Sequence, residues 1–376
     1  MTSAAIIREQ EYPSNAELIT EGPGNAEGHD TEAPRYTADG LSDEPNSIYR
    51  DGSLHVTDRN HELLAALLTS SPQIPHHLKN LTLSGSHGPH LPLPAIFNSF
   101  TEGVTGHLNI RGLDLSLFDN YMYEGFLRLI GSTPGRSGAT SINLSYPTFR
   151  TITDLARLLT RCRSAKTVKV IGKITIIHGH LRMGETFASN IHWAQRKVFI
   201  GRDGEVYLFS IMLDKNVLLD KLAVLVISSL SQRTMCQLKE ILRKTGPALH
   251  VLNFPLPPYG NPILISLYIH QCLMTLLIPA NRWRTLSLRK FKLNVLMRFD
   301  QCIDAMNLGP IDAFLCHSAP ALEELVIVLH VPDWSPDRMA EEEAVIWRMM
   351  PLCTAKREVL FQFRVIARES NQFRYE

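Results

Sequence analysis

The run Leu78-Lys79-Asn80-Leu81-Thr82-Leu83 sets the frame of the chain, because its apolar residues at positions one, four and six return along most of its length. The pattern recurs at Thr105, Leu108, Ile110; Ala139, Ile142, Leu144; Ala165, Val168, Val170; Leu222, Leu225, Ile227; Leu249, Leu252, Phe254; Trp283, Leu286, Leu288; and Leu322, Leu325, Ile327. A weaker copy stands at Gln195, Val198, Ile200. First positions are separated by 27, 34, 26, 30, 27, 27, 34 and 39 residues. A unit of that size cannot bury its apolar face alone, so consecutive units must stack on one another.

Within each copy the apolar residues alternate over a short span, which is the period of a strand with one buried face. Stretches of helical periodicity follow: Leu117 to Ile130, Ile152 to Cys162, Met183 to Trp193, Ser210 to Lys221, Gln232 to Arg243, Pro262 to Leu277 and Asn294 to Met306. Pro262 behind Asn261 reads as a first-turn proline behind its cap. Strand then helix at a period near 30 predicts an α/β, leucine-rich-repeat-like solenoid. Parallel strands line its concave face and helices its convex face. An earlier helix is expected from an N-cap at Asp58 through Leu63, Leu64, Leu67 and Leu68 to Ser71-Pro72. A later one is expected over Met339 to Met350, and a final strand over Val359 to Val365 caps the open end. Gly201-Arg202-Asp203-Gly204, between two apolar runs, reads equally well as the turn of an antiparallel hairpin across 198 to 209.

Two regions divide the chain. Residues 1 to 48 are rich in Gly, Pro, Ser, Asn and Glu and poor in aliphatic residues, so they are expected to stay a disordered acidic leader. Residues 49 to 376 form the repeat body and its cap. The first 50 residues hold ten acids and three Lys/Arg, leaving the remainder with 35 basic and 27 acidic residues. The basic residues are thinly spread, so nucleic-acid binding is not expected. Six cysteines with no CxxC pair point to reduced, mostly buried thiols. The N-terminus lacks a cationic start and apolar run, and a cytoplasmic or nuclear location follows as an expectation. Ile263 to Ala280 is uncharged for 18 residues, but His270, Gln271 and Pro279 and its place in the frame make it a core helix rather than a membrane span.

No catalytic or metal constellation stands out. His178-Gly179-His180, His76-His77 and His87 with His90 lack the paired Cys or acidic spacing of a closed zinc site. Ser84-Gly85-Ser86-His87-Gly88 is a fragment of a nucleophile elbow at most. Gly131 to Gly138 is glycine-rich but lacks the Lys-Ser/Thr ending of a phosphate loop. No enzyme activity, cofactor or metal is expected.

The run Leu54-His55-Val56-Thr57-Asp58, then Leu63 to Pro72, then Leu78 to Gly85, resembles the segment after the F-box in leucine-rich-repeat proteins abundant in mushroom-forming fungi. Ile142-Asn143-Leu144-Ser145 to Phe149, followed by Asp154 to Leu159, resembles their next repeats. The likeness covers about residues 49 to 376 and is one of repeat texture. It implies the substrate-recognition part of an F-box-type ubiquitin ligase receptor, with the Skp adaptor and a cullin as partners if an F-box is supplied. Residues 1 to 48 carry no Leu-Pro start, no Trp and no helical apolar density, so an F-box is not recognisable within them. The alternative is an interaction scaffold with no ligase connection.

Either way, the expected protein-binding surface is the concave face. Its outward positions begin with Asn80, Thr82, Ser84 and His107, Asn109, Arg111, and end with Thr285, Ser287, Arg289 and Glu324, Val326, Val328. Between these ends the frame places Lys169, Phe199, Val224, Val226, Val251 and Asn253 as the candidate partner-binding residues, an apolar centre with a polar surround.

Overall fold

A computed structural model describes residues 49–50, 52–57, 78–85, 104–131, 138–178, 191–201, 204–228, 232–256, 262–275, 287–296, 306–332, 334–356 and 358–368, with isolated positions between them. It is an α/β structure built on one twelve-stranded sheet whose spatial order is the order of the chain. The strands are β1 (Tyr49–Arg50), β2 (Ser53–Val56), β3 (Asn80–Ser84), β4 (His107–Arg111), β5 (Ser141–Ser145) and β6 (Thr167–Ile171). They continue as β7 (Lys197–Ile200), β8 (Val224–Ile227), β9 (Val251–Leu256), β10 (Lys290–Leu296), β11 (Glu324–Pro332) and β12 (Leu360–Arg368). Among the described residues the β1–β2 pair alone is antiparallel, and from β2 onward eleven strands run parallel. Parallel neighbours need a crossover, and helices supply it. Among the described residues these are α1 (Asn120–Ile130), α2 (Ile152–Arg161), α3 (Glu205–Leu213), α4 (Gln232–Thr245), α5 (Pro262–Thr275), α6 (Gly309–Ser318), α7 (Pro336–Met349) and α8 (Pro351–Ala355).

The repeated apolar positions are the core. Leu81, Leu108, Ile142, Val168, Val198, Leu225, Leu252, Phe291 and Leu325 follow one another across the sheet, none more than 1% exposed. Each such side chain contributes roughly 1.5–3 kcal/mol on burial. The helices place Phe126, Leu158, Phe209, Leu238, Ile269, Leu315 and Ile346 in the same cluster.

Several expectations change. The hairpin across 198 to 209 is not formed: Lys197–Ile200 is a parallel strand between β6 and β8, and Glu205 begins α3. The Gln195 copy is therefore a full unit. The helix expected over Ser210 to Lys221 runs instead from Glu205 to Leu213, because Asp214-Lys215-Asn216 turns the chain and Val217–Leu218 pairs with Ile191–His192. That pairing also removes the end of the helix expected over Met183 to Trp193, whose first residues fall outside the described set.

The copy at Trp283, Leu286, Leu288 is out of register. Phe291 and Leu293 stand opposite Leu252 and Phe254, so the unit begins at Leu288, and Leu288-Arg289-Lys290-Phe291-Lys292-Leu293 fits the same pattern. The outward triple Thr285, Ser287, Arg289 is thus replaced by Lys290, Lys292 and Asn294, and the helix expected from Asn294 begins inside β10. Thr105 is exposed, and its neighbour Val104 takes the buried place. Leu54 and Val56 align with Leu81 and Leu83, adding one unit before Leu78. Leu63 is helical but 53% exposed, while Asp58 falls outside the described residues.

Side chains from one unit close the helix of the unit before it. The last carbonyls of a helix have no intrahelical donor and must find one elsewhere. Gln195 Nε2 donates to Leu159 O (3.0 Å) and Cys162 O (3.3 Å) at the end of α2. Lys244 Nζ, on α4, donates to Met212 O (2.8 Å) and Asp214 O (2.7 Å) at the end of α3. Lys356 Nζ donates to Cys316 O (2.8 Å) in the last turn of α6. At the opposite kind of terminus, buried Asp312 accepts from the N–H groups of Leu352 (2.8 Å) and Cys353 (2.7 Å) in α8. These bonds span about 30 to 40 residues, so they couple neighbouring units rather than stabilising single helices.

Candidate partner-binding face

The candidate site follows from strand alternation. In each strand the residues between the buried ones point away from the helices, and the register aligns them into rungs. One rung runs His55, Thr82, Asn109, Asn143, Lys169, Phe199, Val226, Asn253, Lys292, Val326, Gln362. The next runs His107, Ser141, Thr167, Lys197, Val224, Val251, Lys290, Glu324, Leu360. Lys169, Phe199, Val226 and Asn253 are therefore consecutive in one rung, and Val224 and Val251 are adjacent in the other. All six candidates meet on β6 to β9, roughly 14 Å across at the usual strand spacing. Lys169 is exposed; the other five are partly exposed, beside Leu225 and Leu252, which are fully buried.

The apolar centre has a built-in polar frame. Asn294 Nδ2 donates to Asn253 Oδ1 at 2.7 Å, which orients the Asn253 amide beside Val226. Asn109 Nδ2 donates to Thr82 Oγ1 at 3.3 Å farther along the rung. Between them Asn143 Oδ1 is buried without a hydrogen-bond partner, an acceptor that is costly to leave unmet. At the β10 side Lys290 Nζ lies 2.6 Å from Glu324 Oε2. The hydrogen bond and negative charge of Glu324 push the Lys290 pKa up.

Charge on this face is one-sided. Its described rungs hold Arg111, Lys169, Lys197, Lys290, Lys292 and Arg364 against one acid, Glu324. Lys290 and Lys292 were hidden from the sequence reading by the five-residue frame error; the alternation Lys290-Phe291-Lys292-Leu293 was the signal that could have found them. The expectation of open apolar positions at Val326 and Val328 is corrected: these are 6% and 1% exposed. Val326 sits between Lys292 and Gln362 in its rung, and Val328 between Asn294 and Arg364.

Elsewhere the chemistry is structural. Among the described residues no group of three or more His, Cys, Asp or Glu is placed to hold a metal ion. His178 is exposed, while His76, His77, His87, His90 and His180 lie outside the described residues. Burial raises the Cys162 thiol to about 12 and the Cys272 thiol to about 11, so neither is an activated nucleophile. Cys236 is exposed and free. Pro262–Thr275 buries Ile269, Cys272 and Leu273, and no helix among the described residues is long and apolar enough to cross a membrane. No protein-family model matches the chain, and no curated protein matches it.

Proposed function

We propose that the chain is a protein-binding repeat protein, a leucine-rich-repeat-like solenoid whose concave strand face recognises a partner and whose convex helices support it. The observation that carries the reading is the uninterrupted rung Lys169, Phe199, Val226, Asn253, with partly exposed apolar side chains held between cations. A sheet gains little stability from valine and phenylalanine on its open face, whereas a docked partner gains from burying them. The fold analogy extends the proposal to substrate recognition in an F-box-type ubiquitin ligase, with the Skp adaptor and a cullin reached through a module supplied elsewhere. The second reading is an interaction scaffold without ligase machinery.

Affinity capture of the chain alongside its Val226→Asp variant, read by mass spectrometry, tests this. Proteins held by the native chain and lost from the variant are partners of the face. Adaptor and cullin retained by both forms support the receptor reading, and their absence from both supports the scaffold. An identical set of proteins on the two forms overturns the assignment of the face.

A further inference from the structure

The same face has a candidate occupant within the chain itself. Residues 1 to 48 carry ten acids against two Arg, and the chain enters the sheet at β1, on the edge next to β2. From β2 to β7 is five strand spacings, about 24 Å, and to β10 about 38 Å. The 27 residues between Glu21 and Tyr49 would span about 29 Å at the coil dimensions of a Gly-rich chain and about 90 Å when extended. The segment therefore reaches every strand of the basic patch, and its tether gives it an effective concentration on the millimolar scale.

Within that segment, Glu17-Leu18-Ile19-Thr20-Glu21 has the order acid, apolar, apolar, polar, acid. The rung Lys169, Phe199, Val226, Asn253, Lys292 likewise sets an apolar centre between two cations. In an extended chain Glu17, Ile19 and Glu21 point the same way, with the two carboxylates about 13 Å apart. Lys169 and Lys292 are four strand spacings apart, about 19 Å, a difference their long side chains close. Lys169 and Lys292 have no acidic partner among the described residues, and Lys197 on the neighbouring rung has none either.

We propose that residues 17–21 of the acidic N-terminal segment dock across β6 to β10, with Ile19 over Phe199 and Val226 and Glu17 and Glu21 against Lys169 and Lys292. The docked segment covers the candidate partner-binding face, so an external ligand must displace it. This goes beyond the partner-binding reading and stands or falls separately from it.

Zero-length carbodiimide coupling of carboxylates to lysines in the full chain, mapped by mass spectrometry, tests the docking. A one-to-one mixture of ¹⁵N-labelled and unlabelled chains separates links within a chain from links between chains. The expected result is links within one chain from Glu17 and Glu21 to Lys169 and Lys292. Their yield should fall about fivefold or more in 0.5 M salt, where the Debye length is under half its value at 0.1 M, and likewise in Ile19→Asp. Ile19→Asp leaves every residue of the described sheet unchanged. Links from residues 9–44 spread evenly over Lys215 and Lys221, which lie off the face, overturn the proposal, as does the absence of links to Lys169 and Lys292. Links mainly between chains also overturn it, and assign the face to a second copy.

Discussion

Tyr146 holds its ring against the bare Cα of Gly172. Both residues follow directly on strands, β5 and β6, and both are left-handed, Tyr146 at φ 51° and Gly172 at φ 71°. Gly112 at φ 58° follows β4 in the same way, so the chain leaves three successive strands by one type of turn. Tyrosine in that conformation is costly, about 1–2 kcal/mol. A Cβ added to Gly172 would come within 2.2 Å of the Tyr146 ring. Gly172→Ala should destabilise the protein by about 1–3 kcal/mol. Tyr146→Gly should leave stability equal or slightly higher. In the double variant part of the Gly172→Ala cost should vanish, since the ring no longer occupies the space. Urea midpoints of the four proteins decide; additive effects would show that the two residues are uncoupled.

Gln195 offers a test of how units are held to each other. It is 1% exposed, and its amide supplies the donors for Leu159 O and Cys162 O. Gln195→Leu fits the apolar pattern of the other copies yet removes the side-chain donor to Leu159 O and one of two donors to Cys162 O, which also accepts from Ala165 N, so it should cost about 1–3 kcal/mol. Amide exchange should quicken at the end of α2 more than in α6, which a loss of general stability would not produce.

Alkaline pH should unfold this protein early. Burial raises the thiols of Cys162 and Cys272 from an ordinary value of 9.0 to about 12 and about 11. It also raises Cys353, Tyr123 and Tyr268. With folded pKa values above unfolded ones, the folded state keeps protons that the unfolded chain releases. Stability is therefore complete below about pH 9 and is lost as pH climbs toward 11 and 12. Lys244 works the other way, because burial lowers its pKa, but one lysine does not offset five acids of this kind. Unfolding midpoints at pH 8, 9.5 and 10.5 should fall in that order, by about 1.4 kcal/mol per pH unit for each fully buried thiol. Equal midpoints would show that the thiols titrate freely. Cys162→Ala should flatten the profile.

Most of the strand frame was legible because burial on one face forces a period of two, and a single-residue slip would expose every core residue. Seven of the nine first positions stand where the pattern puts them, among them Gln195, which is polar. The failures share a cause. Around Trp283 two overlapping runs satisfy the same pattern, and only the longer alternation Phe291, Leu293, Val295 separates them. Around Gly201 and Gly204 the residues of a hairpin turn also serve a strand-to-helix connection, where Gly204 precedes α3. Side chains that act across units, such as Asp312 of α6 capping α8 or Lys244 of α4 closing α3, carry no local signal. Their partners are about 30 to 40 residues away, and charge in a helix ordinarily means an exposed face.

Neighbouring residues on β8 test both the register and the assignment of the face. Leu225 is fully buried and points into the helix layer, whereas Val226, one residue on, is partly exposed between Phe199 and Asn253. Leu225→Asp removes a core side chain and buries a carboxylate without a partner, a combination that costs about 4 kcal/mol or more and approaches the whole stability of a typical domain. Val226→Asp places a carboxylate at a partly exposed site, with Lys169 and Lys292 two strands away on either side of it. Its cost should stay below about 1 kcal/mol. Circular dichroism and urea unfolding of the two variants should therefore differ sharply although their sites are consecutive. If Val226→Asp unfolds the chain as Leu225→Asp does, the open face is a packed one and partner binding there is excluded. If it folds normally and loses a bound protein, the rung through Phe199 and Val226 is where recognition takes place.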